Sequence, residues 1–166
     1  SLLASLGPVI GKLSANELQQ QGVLAQCHVN VVQLVDHVEH SNYQSELKYL
    51  LENQDRVTAI ANLVKQVNET GNTLVLVDRV AAGKFLVSLL GERAVFVSGA
   101  TKGAERQDHY DEVADVDDKI IVATYGVAAV GINIPRIFNL VLVEPGKSFV
   151  RVIQSIGRGI RKAEDK

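Results

Sequence analysis

The 166-residue sequence has a single cysteine, Cys27, so an internal disulfide is excluded and a reducing, cytoplasmic setting is the default expectation. No apolar run approaches the length needed to cross a bilayer, and no membrane partner is expected. The opening, SLLASLGPVIGKLS, lacks a basic start followed by a cleavable apolar stretch, so no targeting segment is expected either. Neither sign of charge dominates: the formal net charge is −2, without the strongly basic balance that usually marks nucleic-acid binding by a whole surface. Any such contact has to be local. Internal repeats, low-complexity tracts and long Pro/Gly/Ser linkers are missing as well, which argues against an array or a divided chain.

What is present is the material of an ordinary folded domain. Hydrophobic residues make up 46% and charged residues 22%, far from the composition of disorder. One domain over residues 1–166 is the expectation, and its ends look cut from a longer chain, since Gly7-Pro8-Val9-Ile10 already reads as a turn inside something larger. Ser14 lies three residues before Glu17, which suggests a capped short helix over residues 14–21. The basic exception is the last stretch, where Lys147, Arg151, Arg158, Arg161, Lys162 and Lys166 face only Glu164 and Asp165.

The periodicity alternates between strand and helix. Residues 28–35 are valine-rich and read as a strand, and residues 43–68 carry apolar positions at helical spacing, as two helices meeting near Asn53. TLVLVD at 73–78 reads as a buried strand, followed by a helix that ends at Gly91. The unit then recurs: strand 94–97, helix 102–113, strand 119–123, strand 140–143 and a last helix over residues 148–161. Strands apolar on both faces, alternating with helices, predict an α/β fold with a parallel sheet covered by helices on both sides. In such sheets ligands gather at the carboxyl ends of the strands. The loops after Asp78, Val97, Ala123 and Val143 are therefore the ones to read.

In the tail, Phe149, Val152, Ile153, Ile156 and Ile160 form one helical stripe, with Arg151, Gln154, Arg158 and Arg161 opposite. A solvated basic face would explain the arginines alone. Gly157 and Gly159, however, each cost a helix interior about 1 kcal/mol relative to alanine, which a purely structural helix has little reason to tolerate.

The pattern Gln154-x-x-Gly157-Arg158-x-x-Arg161 resembles the sixth motif of superfamily 2 helicases. The resemblance implies that Arg161 is an arginine finger, that Arg158 also faces the ATP phosphates, and that Gln154 and Gly157 lie at the ATP interface. Arginine suits this task because its planar, permanently charged fork meets phosphate oxygens bidentately. Residues 121–135, IVATYGVAAVGINIP, resemble the fifth motif, which would place Thr124 against the nucleic-acid backbone and Gly131 and Asn133 near the nucleotide. Many family members carry aspartate where this chain has Asn133. Val97-Ser98-Gly99 followed by Arg106 is similar to a further family segment that touches the nucleic-acid backbone, and TLVLVD with its helix is similar to the fourth motif.

The resemblance implies a RecA-like, three-layer α/β/α domain, the second of the two in such a motor, closest to phage and repair-type DNA helicases that remodel branched DNA. It implies ATP and Mg²⁺ as cofactors, held mainly by an N-terminal RecA-like domain of the same chain, and single-stranded or branched DNA, or RNA, as partner. The chain itself has no Walker lysine. Gly7 to Gly11-Lys12-Leu13 is one residue short between its glycines and lacks Ser or Thr after the lysine, and Gly83-Lys84-Phe85 fails likewise. No Asp-Glu-x-His box is present to hold Mg²⁺, so half an ATPase site is expected. His37 and His40 are too few ligands for zinc and read as a polar loop, with no metal site expected. Two other readings stay open: a non-catalytic doubly wound nucleotide- or protein-binding module, and a double-strand translocase.

Overall fold

A computed structural model describes residues 28–32, 42–132, 134–144, 152 and 160–162. Five strands, β1 (His28–Val32), β2 (Thr73–Val77), β3 (Ala94–Val97), β4 (Ile120–Thr124) and β6 (Asn139–Val143), form one sheet in the order β1-β6-β2-β4-β3, every neighbouring pair parallel. A second, two-stranded sheet pairs β5 (Ile134–Ile137) with β7 (Ile160–Lys162).

Alternate residues of each central strand enter opposite cores, as the two-residue period of a strand requires. Val75, Val77, Ile120, Val122, Val141 and Val143 pack on one face against α1 (Tyr43–Glu52), α2 (Gln54–Val67) and α3 (Val80–Leu90). Leu74, Leu76, Ile121, Ala123, Leu140 and Leu142 fill the other face, with residues of α4 (Gly103–Asp111), α5 (Tyr125–Ala129) and β5, and with Val152. The doubly covered parallel sheet expected from the apolar strands is thus the fold.

Local signals explain the helix boundaries. The Asn42 side chain accepts from the Ser45 N–H at 2.8 Å and starts α1, while Asn53 breaks it from α2 where the sequence suggested a junction. Gly91 ends α3 at φ 88, a conformation that favours glycine. The helix expected over 102–113 closes at Asp111 and tightens into a 3₁₀ turn over Glu112–Asp115.

The tail needs a correction. Val152 is helical and buried, but Ile160 and Arg161, expected to end the same helix, form strand β7 with Lys162 instead. A helix running on through two glycines carries their combined propensity penalty, and pairing with β5 replaces it with ladder bonds. Arg161 therefore does not share a helical face with Arg158 and Gln154. The short helix over 14–21, the first false P-loop, residues 33–35 of the first expected strand and the pair His37 and His40 lie outside the described residues. Among the described residues no helix is long and apolar enough to cross a membrane, and no group of three or more acidic, histidine or cysteine side chains could hold a metal.

Candidate functional site

Parallel strands present all their carboxyl ends on one edge, where the chain leaves the sheet and its main-chain groups must find new partners. Along that edge the order of strands sets Glu144 after β6, Asp78 after β2, Thr124 at the end of β4 and Ser98 after β3.

Ser98 and Thr124 are neighbours because Val97 pairs with Ala123 across β3 and β4. Both are largely buried, at 8% exposure each, and both use their hydroxyl oxygen on the next turn. Thr124 Oγ1 accepts from the Val127 N–H at 3.2 Å and so caps α5. Ser98 Oγ accepts from the Ala100 N–H at 3.2 Å, while the Ser98 N–H donates to Thr101 Oγ1 at 3.1 Å. A hydroxyl that accepts in this way can still donate its proton outward.

Arg106 joins this group through its Nη1, which donates to the Thr101 carbonyl at 3.0 Å. Gly99 is exposed, and open space surrounds the place a Cβ would take. Ser98, Gly99, Arg106 and Thr124, drawn from two separate sequence segments, are thus brought together. The β4/β3 half of the edge carries hydroxyls, an open glycine and the cations Lys102 and Arg106. The β6/β2 half carries the carboxylates Asp78 and Glu144.

Gly131 follows α5 at φ 111, a left-handed conformation that requires glycine there although no atom crowds the position. Beside it Val130 is 77% exposed, a large apolar side chain turned to solvent next to the expected nucleotide turn. Asn133, Gln154, Gly157 and Arg158 lie outside the described residues. Arg161 is described by its backbone alone, in β7.

Sequence reasoning passed over Tyr125. Its phenol donates to the Val143 carbonyl at 3.0 Å and ties the end of β4 to the end of β6 across β2. Burial, and then the negative charges of Asp78 and Glu144, push its pKa well above the usual tyrosine value, so it remains a donor. Glu144 has φ 45, rare for a residue with a Cβ, and its N–H donates to the Val32 carbonyl at 2.7 Å. The Pro145-Gly146 pair after it was the available turn signal.

Comparison with known proteins identifies the family of the domain that carries this edge. The model of the helicase conserved C-terminal domain matches residues 55–163, which include both motif segments and every strand from β2 to β6. The chain belongs to that family. It is 26% identical to the ATP-dependent DNA helicase uvsW of Enterobacteria phage T4, over 94% of this chain and 33% of that protein. It is 30% identical to a candidate helicase of Sulfolobus islandicus filamentous virus (isolate Iceland/Hveragerdi), over 75% of this chain and 22% of that protein. The crystal structure of T4 UvsW superposes with a TM-score of 0.57 at 30% identity, covering 75% of this chain and 26% of that one. These likenesses support a superfamily 2 helicase C-terminal domain with a RecA-like α/β fold, similar to a phage DNA helicase. The chain spans about a third of the T4 protein it matches.

Proposed function

We propose that this domain is the second motor domain of an ATP-dependent superfamily 2 DNA helicase, and that it supplies half of the ATPase site and part of the nucleic-acid track. The observation that carries the reading is the pairing of the Ser98 turn with Thr124 on aligned neighbouring strands, at the edge where such sheets bind ligands. Two hydroxyls and a locally anchored arginine suit backbone phosphates rather than base edges. Binding would then be indifferent to sequence and sensitive to salt.

In this reading the phosphate cradle and Mg²⁺ sites belong to an N-terminal RecA-like domain of the full protein, whose side chains ATP would meet first. This chain adds Arg161 and Arg158 from the tail, with Gln154, Gly157, Gly131 and Asn133 at the same interface. Closure on ATP brings the arginines to the γ-phosphoryl group, where a fixed guanidinium stabilises developing charge with little reorganisation. Hydrolysis releases them, and repetition moves the strand. Branched DNA, repair and recombination follow only from the likeness to the phage relative.

The test is steady-state ATPase of the full-length protein at saturating DNA, paired with equilibrium nucleotide binding. Arg161→Ala is expected to leave ATP affinity near normal while turnover falls by roughly 10³ to 10⁵. Arg161→Lys should restore little, because an ammonium keeps the charge but loses the fork. Near-normal turnover in Arg161→Ala would return the tail to a solvated basic face, and the domain to a binding module.

A further inference from the structure

Strands β5 and β7 do not advance in step. Ile134 pairs with Ile160 and Ile137 pairs with Lys162, so β5 takes three steps where β7 takes two. Pro135 and Arg136 together therefore stand opposite Arg161, the arrangement of a β-bulge.

The chemistry of the two extra positions makes the irregularity a built feature. Proline has no N–H to give a ladder, which confines it to edges and bulges. The Arg136 carbonyl is engaged elsewhere, accepting from Asn72 Nδ2 at 3.0 Å. The Arg136 side chain is held outside, with Nη2 2.6 Å from Asp117 Oδ1 and its guanidinium 5.6 Å from the Phe138 ring centre. Ile134 and Ile137, at the two ends of the bulge, are fully buried in the core of the second sheet face. The backbone opposite Arg161 is thus pinned from the core, from Asn72 and from Asp117.

We propose that the Pro135–Arg136 bulge is a positioning device for Arg161, setting the backbone from which that arginine reaches its target. The inference rests on the finger reading of Arg161, and bulges re-aim side chains beside active sites in this manner. Pro135 is a positioning residue here, acting only through Arg161. Restoring an N–H donor with Pro135→Ala invites a regular ladder and shifts Arg161, and a displacement of about 1 Å in such a group costs on the order of 10²-fold.

The experiment is a double-mutant cycle in the full-length protein, reading DNA-stimulated turnover together with ATP and DNA affinity and the melting temperature. Pro135→Ala alone is expected to lower turnover about ten- to a hundredfold with both affinities unchanged. In an Arg161→Ala background the same change should cost nothing further, since the group it positions is gone. Equal losses in both backgrounds, or none in the parent, would overturn the proposal. Should Pro135→Ala melt far below the parent, Arg136→Gly serves instead, loosening the bulge without adding a ladder donor, and it must show the same non-additivity at smaller amplitude. If Arg161→Ala itself keeps normal turnover, the finger reading fails and takes this inference with it. Loss in Arg161→Ala with an additive Pro135→Ala defeats the bulge proposal alone.

Discussion

The two ends of the same parallel sheet are bonded in different ways. At the amino end, three buried asparagines stitch together stretches far apart in the chain. Asn72 Nδ2 lies 3.1, 2.7 and 3.0 Å from the carbonyls of Val113, Val116 and Arg136, and its Oδ1 accepts from the Lys119 N–H at 2.7 Å. Asn68 donates to the Asp118 carbonyl, and Asn139 to the carbonyls of Val67 and Gly71. At the carboxyl end the hydroxyls of Ser98, Thr101 and Thr124 bond only within two or three residues of themselves. Long-range amide bonds hold the amino end, whereas at the carboxyl end Tyr125 and Glu46 reach far along the chain and the Ser98 and Thr124 turns are bonded locally. The contrast teaches that the amide cluster ties distant stretches of chain together, whereas the hydroxyls of Ser98 and Thr124 shape only the turns they begin.

The contrast breaks most directly at Asn72. Asn72→Ala strands the buried Val113 carbonyl and the part-buried main-chain groups of Val116, Lys119 and Arg136, and with roughly 1 to 3 kcal/mol for a fully buried group and less for the others, a loss on the order of 3 to 5 kcal/mol is expected. Urea unfolding of the 166-residue chain measures it. A loss under about 1 kcal/mol would mean that the amino-end cluster is ornamental.

Gly71 gives the next effect. It sits at φ 147 in the turn before β2, and an added Cβ would collide with the Phe138 ring. Backbone strain of about 1 to 3 kcal/mol and crowding of similar size put Gly71→Ala at roughly 2 to 4 kcal/mol below the parent. The same unfolding midpoint reads it, and a neutral result would show that the turn relaxes freely.

Thr124 tests the other end. Removing its hydroxyl with Thr124→Val deletes the cap of α5, which costs about 1 kcal/mol. Single-strand DNA binding of the full-length protein should weaken by more than that small destabilisation explains, and Thr124→Ser should keep it. Affinity of the two variants at one fixed salt concentration decides the matter, since a neutral hydroxyl leaves the salt slope to the cations: unaltered affinity in Thr124→Val would remove Thr124 from the track.

Much of this was legible because the strands are apolar on both faces. TLVLV and AVFV declare themselves by composition, and the positions of Ser98 and Thr124 followed from motif order. Their adjacency did not, since it depends on β4 inserting between β2 and β3. Strand β5 was hidden by Pro135, which argues against a strand in any local reading. Strand β7 was hidden by Ile160, which continues a helical stripe begun at Phe149. The asparagine cluster left no local trace, because Asn68 and Asn72 look like turn punctuation and the carbonyls their side-chain amides donate to lie 41 to 64 positions away.

The smallest expected effect distinguishes the two ends by charge. The amino-end cluster is built of neutral amides, whereas the carboxyl end holds a buried carboxylate: Glu46 of α1 reaches the start of α3, where Oε2 accepts from the Ala82 N–H at 3.3 Å. Burial raises its pKa above 4.5, only partly offset by the Ala82 N–H, the Arg79 charge and the Ala81 N–H, while Asp78 raises it further. A carboxyl with a raised folded-state pKa binds more protons folded than unfolded, so its contribution to stability grows as pH falls from neutral through that pKa. The gain is complete below the unfolded value near 4.5. Glu46→Gln keeps an acceptor for the Ala82 N–H and removes the buried charge. The difference in unfolding free energy between parent and variant should therefore shift in favour of the parent on acidification, with the variant at least as stable at neutral pH. Parallel pH profiles for the two proteins would show that Glu46 is solvated in the folded state, and would take the buried charge away from the carboxyl end.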